Sequence, residues 1–384
     1  MKTSRSLLLA SLAALLTTSF IAAGVSRAGT ARNIIFMVPD GMGLADVTAA
    51  RIFKNGPNGA PLSFETLRHI GYQRTHSADS TVTDSAAAAS AWACGEKFNN
   101  HEICFHRDGR PHRPSILELA KKTGKAAGLV TTSAITDATP AAFGAHVPFR
   151  GCGQEIARQY LMVSGIDVLL GGGIAQFTSE KADKCGTKGN YIQTARDRGY
   201  AVVYGRGEMS DAADAGSPKI LGLFSQAKMT PNHLRALDTG EPRLAEMTAA
   251  ALKVLERDRD GFFLLVEGSQ VDWANHDNDL PYQTSEVLAF DEAVEMVRRW
   301  IKADPSRGEN TLLIVVADHE TGGFAVKGPK SGLLTPGTRV EGAWTGDNHT
   351  AVDTIIWSEG PGSEGLAKAL DNTDVYDVLV RAMK

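Results

Sequence analysis

Several short stretches of this chain carry residues able to do chemistry, and Val82-Thr83-Asp84-Ser85-Ala86 is the one around which the others make sense. The alanine run that follows has high helix propensity, and either Thr83 or Asp84 can cap its first turn. Ser85 is therefore predicted at the mouth of a helix. Free backbone N–H groups and the positive end of the helix dipole favour a bound phosphate and an ionised serine oxygen there. Taken alone, Asp84-Ser85 reads first as an ordinary helix cap.

The other stretches hold acids, hydroxyls and histidines. Asp40 follows the apolar run Asn33 to Val38, so it falls just beyond the carboxyl end of a predicted strand, where open α/β sheets assemble their sites. Asp137 and Thr139 form an Asp-x-Thr pair before Pro140, which is either a simple turn or an oxygen pair for a hard cation such as magnesium. Glu267 opens a second dense stretch, in which Asp272 and His276 are four residues apart. One helical turn puts both on the same face, as two ligands of one zinc ion require, although that spacing alone is weak. Asp318-His319 ends another apolar run, and His349 lies in Gly346-Asp347-Asn348-His349-Thr350.

The elements that must position these residues read as alternating strands and helices. Apolar runs at Asn33–Val38, Ala126–Thr131, Asp167–Leu170, Gly261–Val266 and Thr311–Ala317 read as buried strands. Helices are predicted from Ser85, from Ser115, over Gln154–Val163, over Arg243–Glu256 and over Val287–Ile301, and the alternation repeats from Tyr191 to Val203. The Gly171-Gly172-Gly173 triplet lacks the spacing of a dinucleotide fingerprint and reads as close backbone packing. The expected fold class is α/β, a three-layer α/β/α sandwich around a mostly parallel, doubly wound sheet. No internal repeat or low-complexity linker interrupts it.

Composition bounds the rest. With 384 residues, 43% hydrophobic and 22% charged, the chain has the profile of a globular protein with a sizeable core. A formal net charge of −4 gives no basis for nucleic acid binding. Residues 1–28 combine a basic start at Lys2 and Arg5, an apolar run from Leu7 to Ile21 and the small-x-small pattern Ser26-Arg27-Ala28, which describes a cleaved secretory signal peptide. Residues 29–384 remain, periplasmic or secreted with no membrane anchor after cleavage, and their length fits one large α/β domain or two modest ones. In an oxidising compartment four cysteines read as disulfides, and their spacing favours Cys94 with Cys104 and Cys152 with Cys185. Three pairings remain open from sequence alone. A four-cysteine zinc site has no Cys-x-x-Cys pair to support it.

Three strands ending in acidic or Asp-His pairs, together with a serine at a helix start, fit a two-zinc phosphoryl-transfer site. Here the sequence resembles the alkaline phosphatase family in its bacterial periplasmic form, from roughly Asn33 to the C-terminus. The resemblance implies that Ser85 is the nucleophile, forming a phosphoserine, and a ligand of the second zinc with Asp318, His319 and Asp40. It assigns Asp272, His276 and His349 to the first zinc, and Asp137, Thr139 and Glu267, beside Asp40, to one magnesium. Arg150 falls where the family keeps its phosphate-clamping arginine, with Asp84 and Trp273 at the substrate. His146 carries no role over. Trp273 stands where some members place a cationic or imidazole side chain. The region from Ala325 to Trp344 is short, lacking the long surface insertion of some members and with it part of a common dimer contact, which leaves a homodimer open.

The implied activity is hydrolysis of small-molecule phosphomonoesters. The competing readings are a phosphodiesterase of the same superfamily and an exported zinc- or phosphate-binding protein without turnover. A binder has no use for the Asp84-Ser85 arrangement. A sulfatase would need proline and arginine after its modified residue, and alanines follow Ser85.

Overall fold

In the computed structural model, which describes residues 29–235, 240–329 and 331–383, the apolar runs form the middle of one large sheet. The predicted signal peptide, residues 1–28, lies outside the described residues. In chain order the strands are β1 (Asn33–Pro39), β2 (His69–Arg74), β3 (Ala126–Ala134), β4 (Val168–Gly172), β5 (Tyr200–Val203), β6 (Lys219–Leu223), β7 (Phe262–Gly268) and β8 (Thr311–Val316). The short strands β9 (Glu320–Thr321), β10 (Ala325–Lys327), β11 (Glu341–Ala343) and β12 (His349–Thr350) follow, then β13 (Thr354–Glu359) and β14 (Ala369–Asp371).

Ten of these strands make the main sheet, in the order β14-β2-β13-β8-β1-β7-β3-β4-β6-β5. Every pairing is parallel except those of β13 with β2 and β8. The expected mostly parallel α/β sandwich is what forms, with an antiparallel intruder toward one edge. β2, β6, β13 and β14 went unread in the sequence; β2 is exposed at alternate positions and β14 is only three residues long.

Period-two alternation divides the core. Ile34, Phe36, Val38, Leu129, Phe263, Leu265 and Ile314 face the layer containing the Ser85–Cys94, Ala138–Gly144 and Asn372–Ala382 helices. Ile35, Met37, Val130, Leu264, Val266 and Val315 face the other layer, with the Leu244–Leu255 and Leu280–Lys302 helices. Each fully buried Phe, Leu or Ile here is worth roughly 1.5–3 kcal/mol of transfer free energy. The Leu280–Lys302 helix starts seven residues before the predicted Val287 because Asp279 caps it, accepting from Tyr282 N, and Pro281 sits in its first turn.

Cys94 is bonded to Cys104 and Cys152 to Cys185, the pairing favoured by spacing. Among the described residues no helix is long and apolar enough to cross a membrane.

Candidate active site

Four adjacent parallel strands, β8-β1-β7-β3, bring their carboxyl ends to one edge of the sheet. Residues far apart in sequence therefore meet there: Asp318 and His319 after β8, Asp40 after β1, Glu267 within β7 and Asp137 after β3. Glu267 is in register with Val38 on one side and Thr131 on the other. Thr131 donates its hydroxyl to Glu267, and Ser133 Oγ lies 3.4 Å from Oε2.

Ser85 is the first residue of the Ser85–Cys94 helix. Asp84, not Thr83, is its cap, accepting from Ala87 N at 3.0 Å. Ser85 Oγ lies 3.2 Å from His319 Nε2. Arg150 donates Nη1 to Asp84 and Nη2 to Asp137, both at 3.1 Å, so one guanidinium spans the helix cap and the loop after β3. Burial would raise the Asp84 carboxyl, but Arg150 and the amides of Ala87 and His101 outweigh it and hold it below its ordinary value.

Asp272 and His276 share a face of the Gln270–His276 helix, with Oδ1 of Asp272 3.3 Å from His276 Nε2 and 3.4 Å from His349 Nε2. His349 comes from a distant segment, held by the β12–β9 ladder that pairs it with Thr321 and by Nδ1 against Thr83 O at 2.9 Å. His276 Nδ1 faces Asp347 O. Burial opposes it, yet the hydrogen bonds of His276 and His349 hold the Asp272 carboxyl far below the usual range. The bond to Asp272 in turn raises His276 to about 9.

Asp40, Ser85, Asp137, Thr139, Arg150, Glu267, Asp272 and Trp273 line one small cavity. The family model described as Alkaline phosphatase matches residues 31–339. The chain belongs to the alkaline phosphatase family. It is 33% identical to alkaline phosphatase 3 of Bacillus subtilis (strain 168), over 92% of this chain and 89% of that one. It is 32% identical to streptomycin-6-phosphate phosphatase of Streptomyces griseus, over 96% and 94%. The solved alkaline phosphatase from the Antarctic bacterium TAB5 is similar at 30% identity and TM-score 0.79, covering 92% of this chain and 98% of that chain. A mutant of that enzyme was solved with Mg bound in the M3 site. This alkaline phosphatase family member is a phosphatase, and its family is metal-dependent.

The donor set fits metal ions. Asp40 Oδ1 and Asp318 Oδ2 are buried without hydrogen-bond partners, although His319 Nε2 lies 3.6 and 3.1 Å from them. Atoms that converge without bonding one another are what a shared cation requires. Burial, then Asp318, Asp272 and Glu267, push the Asp40 carboxyl well above its ordinary value, and burial pushes Glu267 up to about 7. Acids so crowded ask for positive charge in their midst. Ligand atoms of Asp272, His276 and His349 cluster within 4.8 Å, as do those of Asp40, Asp272 and His319, so Asp272 reaches toward both groups.

Several contributors escaped the sequence reading. Thr321 donates Oγ1 to Asp272 at 2.5 Å and lies 3.2 Å from His319 Nδ1; His101 Nδ1 is 3.1 Å from Asp84. The Lys228 ammonium rests 4.4 Å from the centroid of the Trp273 ring, so a cation does stand beside that tryptophan, delivered from another segment. Only Thr321, next to the Asp318-His319 pair, left a local signal. His146, given no role, bonds Cys104 O and Glu118, both at 2.9 Å.

Proposed function

We propose that this phosphatase hydrolyses phosphomonoesters through a phosphoserine on Ser85, with two zinc ions and one magnesium ion. The observation that carries this reading is the position of Ser85: first in a helix, 3.2 Å from His319, and in one cavity with Arg150 and Asp40. Asp272, His276 and His349 would hold the first zinc, and Asp40, Asp318, His319 and Ser85 the second. Asp137, Thr139 and Glu267 would hold magnesium beside Asp40. When bound, such ions make a serine hydroxyl easier to ionise and offset charge on the leaving oxygen.

The chain's own groups do the rest. Ser85 gives its hydroxyl proton to solvent and its Oγ attacks phosphorus. The Oγ–P bond forms as the ester P–O bond breaks, and the leaving oxygen takes a proton from water and departs as the alcohol. A second water then cleaves the phosphoserine, releasing inorganic phosphate and restoring the Ser85 hydroxyl. Arg150 is oriented in advance by Asp84 and Asp137, so its fork can take two phosphate oxygens without reorganising. The free amides at the start of the Ser85–Cys94 helix favour the same anion. A diester offers the Arg150 fork less terminal charge, which favours the monoester reading over the phosphodiesterase. The secretory features of residues 1–28 and the two disulfides support a periplasmic or secreted location.

The test is phosphate release from a chromogenic monoester, compared with its diester, by wild type and Ser85→Ala. Wild type should prefer the monoester. The variant should lose phosphoserine trapping and nearly all turnover while keeping its bound zinc; normal turnover in it would sink the assignment.

A further inference from the structure

Most side chains lining the Ser85 cavity are buried, and the half-buried ones are Asp137, Arg150 and Trp273. An ester whose phosphorus reaches Ser85 Oγ must lead its alcohol out past these three. Asp137 and Arg150 lie 3.1 Å apart, and in the reading above the first holds magnesium and the second takes the phosphate. Trp273 is thus the part of the rim left to meet the alcohol, and its ring carries the Lys228 ammonium.

Lys228 does not reach Trp273 by chance drift of a loose loop. Gly172 allows the segment before it to cross the end of β4: a Cβ there would lie 2.0 Å from Ala227 O. Gly173 N donates to Ser225 O at 2.9 Å. Beyond Lys228, Met229 N bonds Thr132 O at 3.1 Å and Met229 O accepts from Gln270 Nε2 at 2.9 Å, tying this segment to the helix that carries Trp273. Thr230 N then bonds Glu241, and Asn232 N bonds Glu286. Among the described residues, the exposed Lys228 ammonium makes no ion pair, and its place over the indole leaves it open to what approaches.

We propose that Lys228, seated on Trp273, forms with it an accessory subsite for the alcohol half of the substrate and favours monoesters whose alcohol carries a second anionic group. This rests on the phosphomonoesterase reading above. The indole supplies an apolar wall and fixes the lysine through a cation–π contact; the ammonium supplies attraction that a neutral alcohol cannot use.

The experiment measures kcat/KM of wild type, Lys228→Met and Lys228→Arg for two short esters, a phosphorylated hydroxy acid and a neutral alkyl phosphate, at low and high salt. In Lys228→Met, whose stem can still cover Trp273, the preference for the anionic alcohol should fall about two- to fivefold, the size of an exposed ion pair, mainly through KM. The salt dependence of that preference should disappear with it. Lys228→Arg should keep both. An unchanged preference, or equal losses on the two esters, would overturn the subsite. A wild type that releases phosphate from neither ester would instead remove the phosphomonoesterase reading, and the subsite with it.

Discussion

At the scale of single residues, Arg150 is the group proposed to receive the phosphate. Its two arms hold carboxylates from different parts of the chain, so the plane of the guanidinium is set before any ligand arrives. Lysine would bring the same charge as a point, without a fork to bridge Asp84 and Asp137. Arg150→Lys is expected to weaken inhibition by inorganic phosphate about tenfold or more, the value of a lost charge-assisted hydrogen bond. KM for a monoester should rise in parallel. Inhibition constants measured on both proteins check this, and an unchanged constant would deny Arg150 its clamp role.

At the scale of elements, the turn after β1 and the segment after β6 show how backbone geometry serves the site. Gly41 has φ +72, and a Cβ there would lie 2.6 Å from Asp272 Cα, while its N–H donates to Asp318 Oδ1 at 3.1 Å. Only glycine lets this turn lie against the Gln270–His276 helix. Gly41→Ala should cost on the order of 1–3 kcal/mol and lower zinc occupancy, read by denaturant melts and metal analysis. Glu286, on the Leu280–Lys302 helix, accepts Asn232 N at 2.5 Å, and burial pushes it up to about 7 from 4.5. A raised acid favours the protonated form in the folded state. Its contribution is therefore full below pH 4.5 and is lost as pH rises through about 7. Glu286→Gln keeps an acceptor for Asn232 and removes the titration. The variant's stability relative to wild type should grow by roughly 3 kcal/mol between pH 4.5 and 8. Parallel melting curves across that range would show it; a constant difference would not fit a buried, neutral Glu286.

At the scale of the whole molecule, the site joins segments from Asp40 to His349, so any cation bound there also ties the sheet edge together. Stripped of metal, Asp40, Glu267, Asp272 and Asp318 face one another, offset only by His276 and His349 at Asp272, His319 at Asp318 and Asp40, and Arg150. Chelation is expected to abolish turnover and to lower stability by about 3 kcal/mol or more, as loss of a tightly bound ligand does. Zinc with magnesium should restore both. Calorimetry and activity on the same preparation test this, and full turnover with an unmoved Tm in metal-stripped protein would refute metal dependence in this chain.

The amino-acid sequence by itself determined the local elements and the candidate site residues they end in. Apolar runs of strand length, an alanine helix after Asp84-Ser85 and acids at strand ends all follow from period-two and 3.6-residue geometry, which depends on neighbours in sequence. The family motifs marked Ser85, Arg150 and the acids and histidines that the fold gathers around them. Tertiary structure alone decided what depends on distant packing. The order β8-β1-β7-β3 is what makes four strand ends adjacent, and the β12–β9 ladder is what carries His349 to Asp272. Thr83 and Asp84 were equal candidates for the cap until Arg150 and the His101 amide converged on Asp84. The Cys94–Cys104 and Cys152–Cys185 pairing was one of three until Cα positions brought those partners together. Lys228 lies 45 residues before Trp273 in a stretch without any motif, and only the crossing permitted by Gly172 sets its charge over the indole.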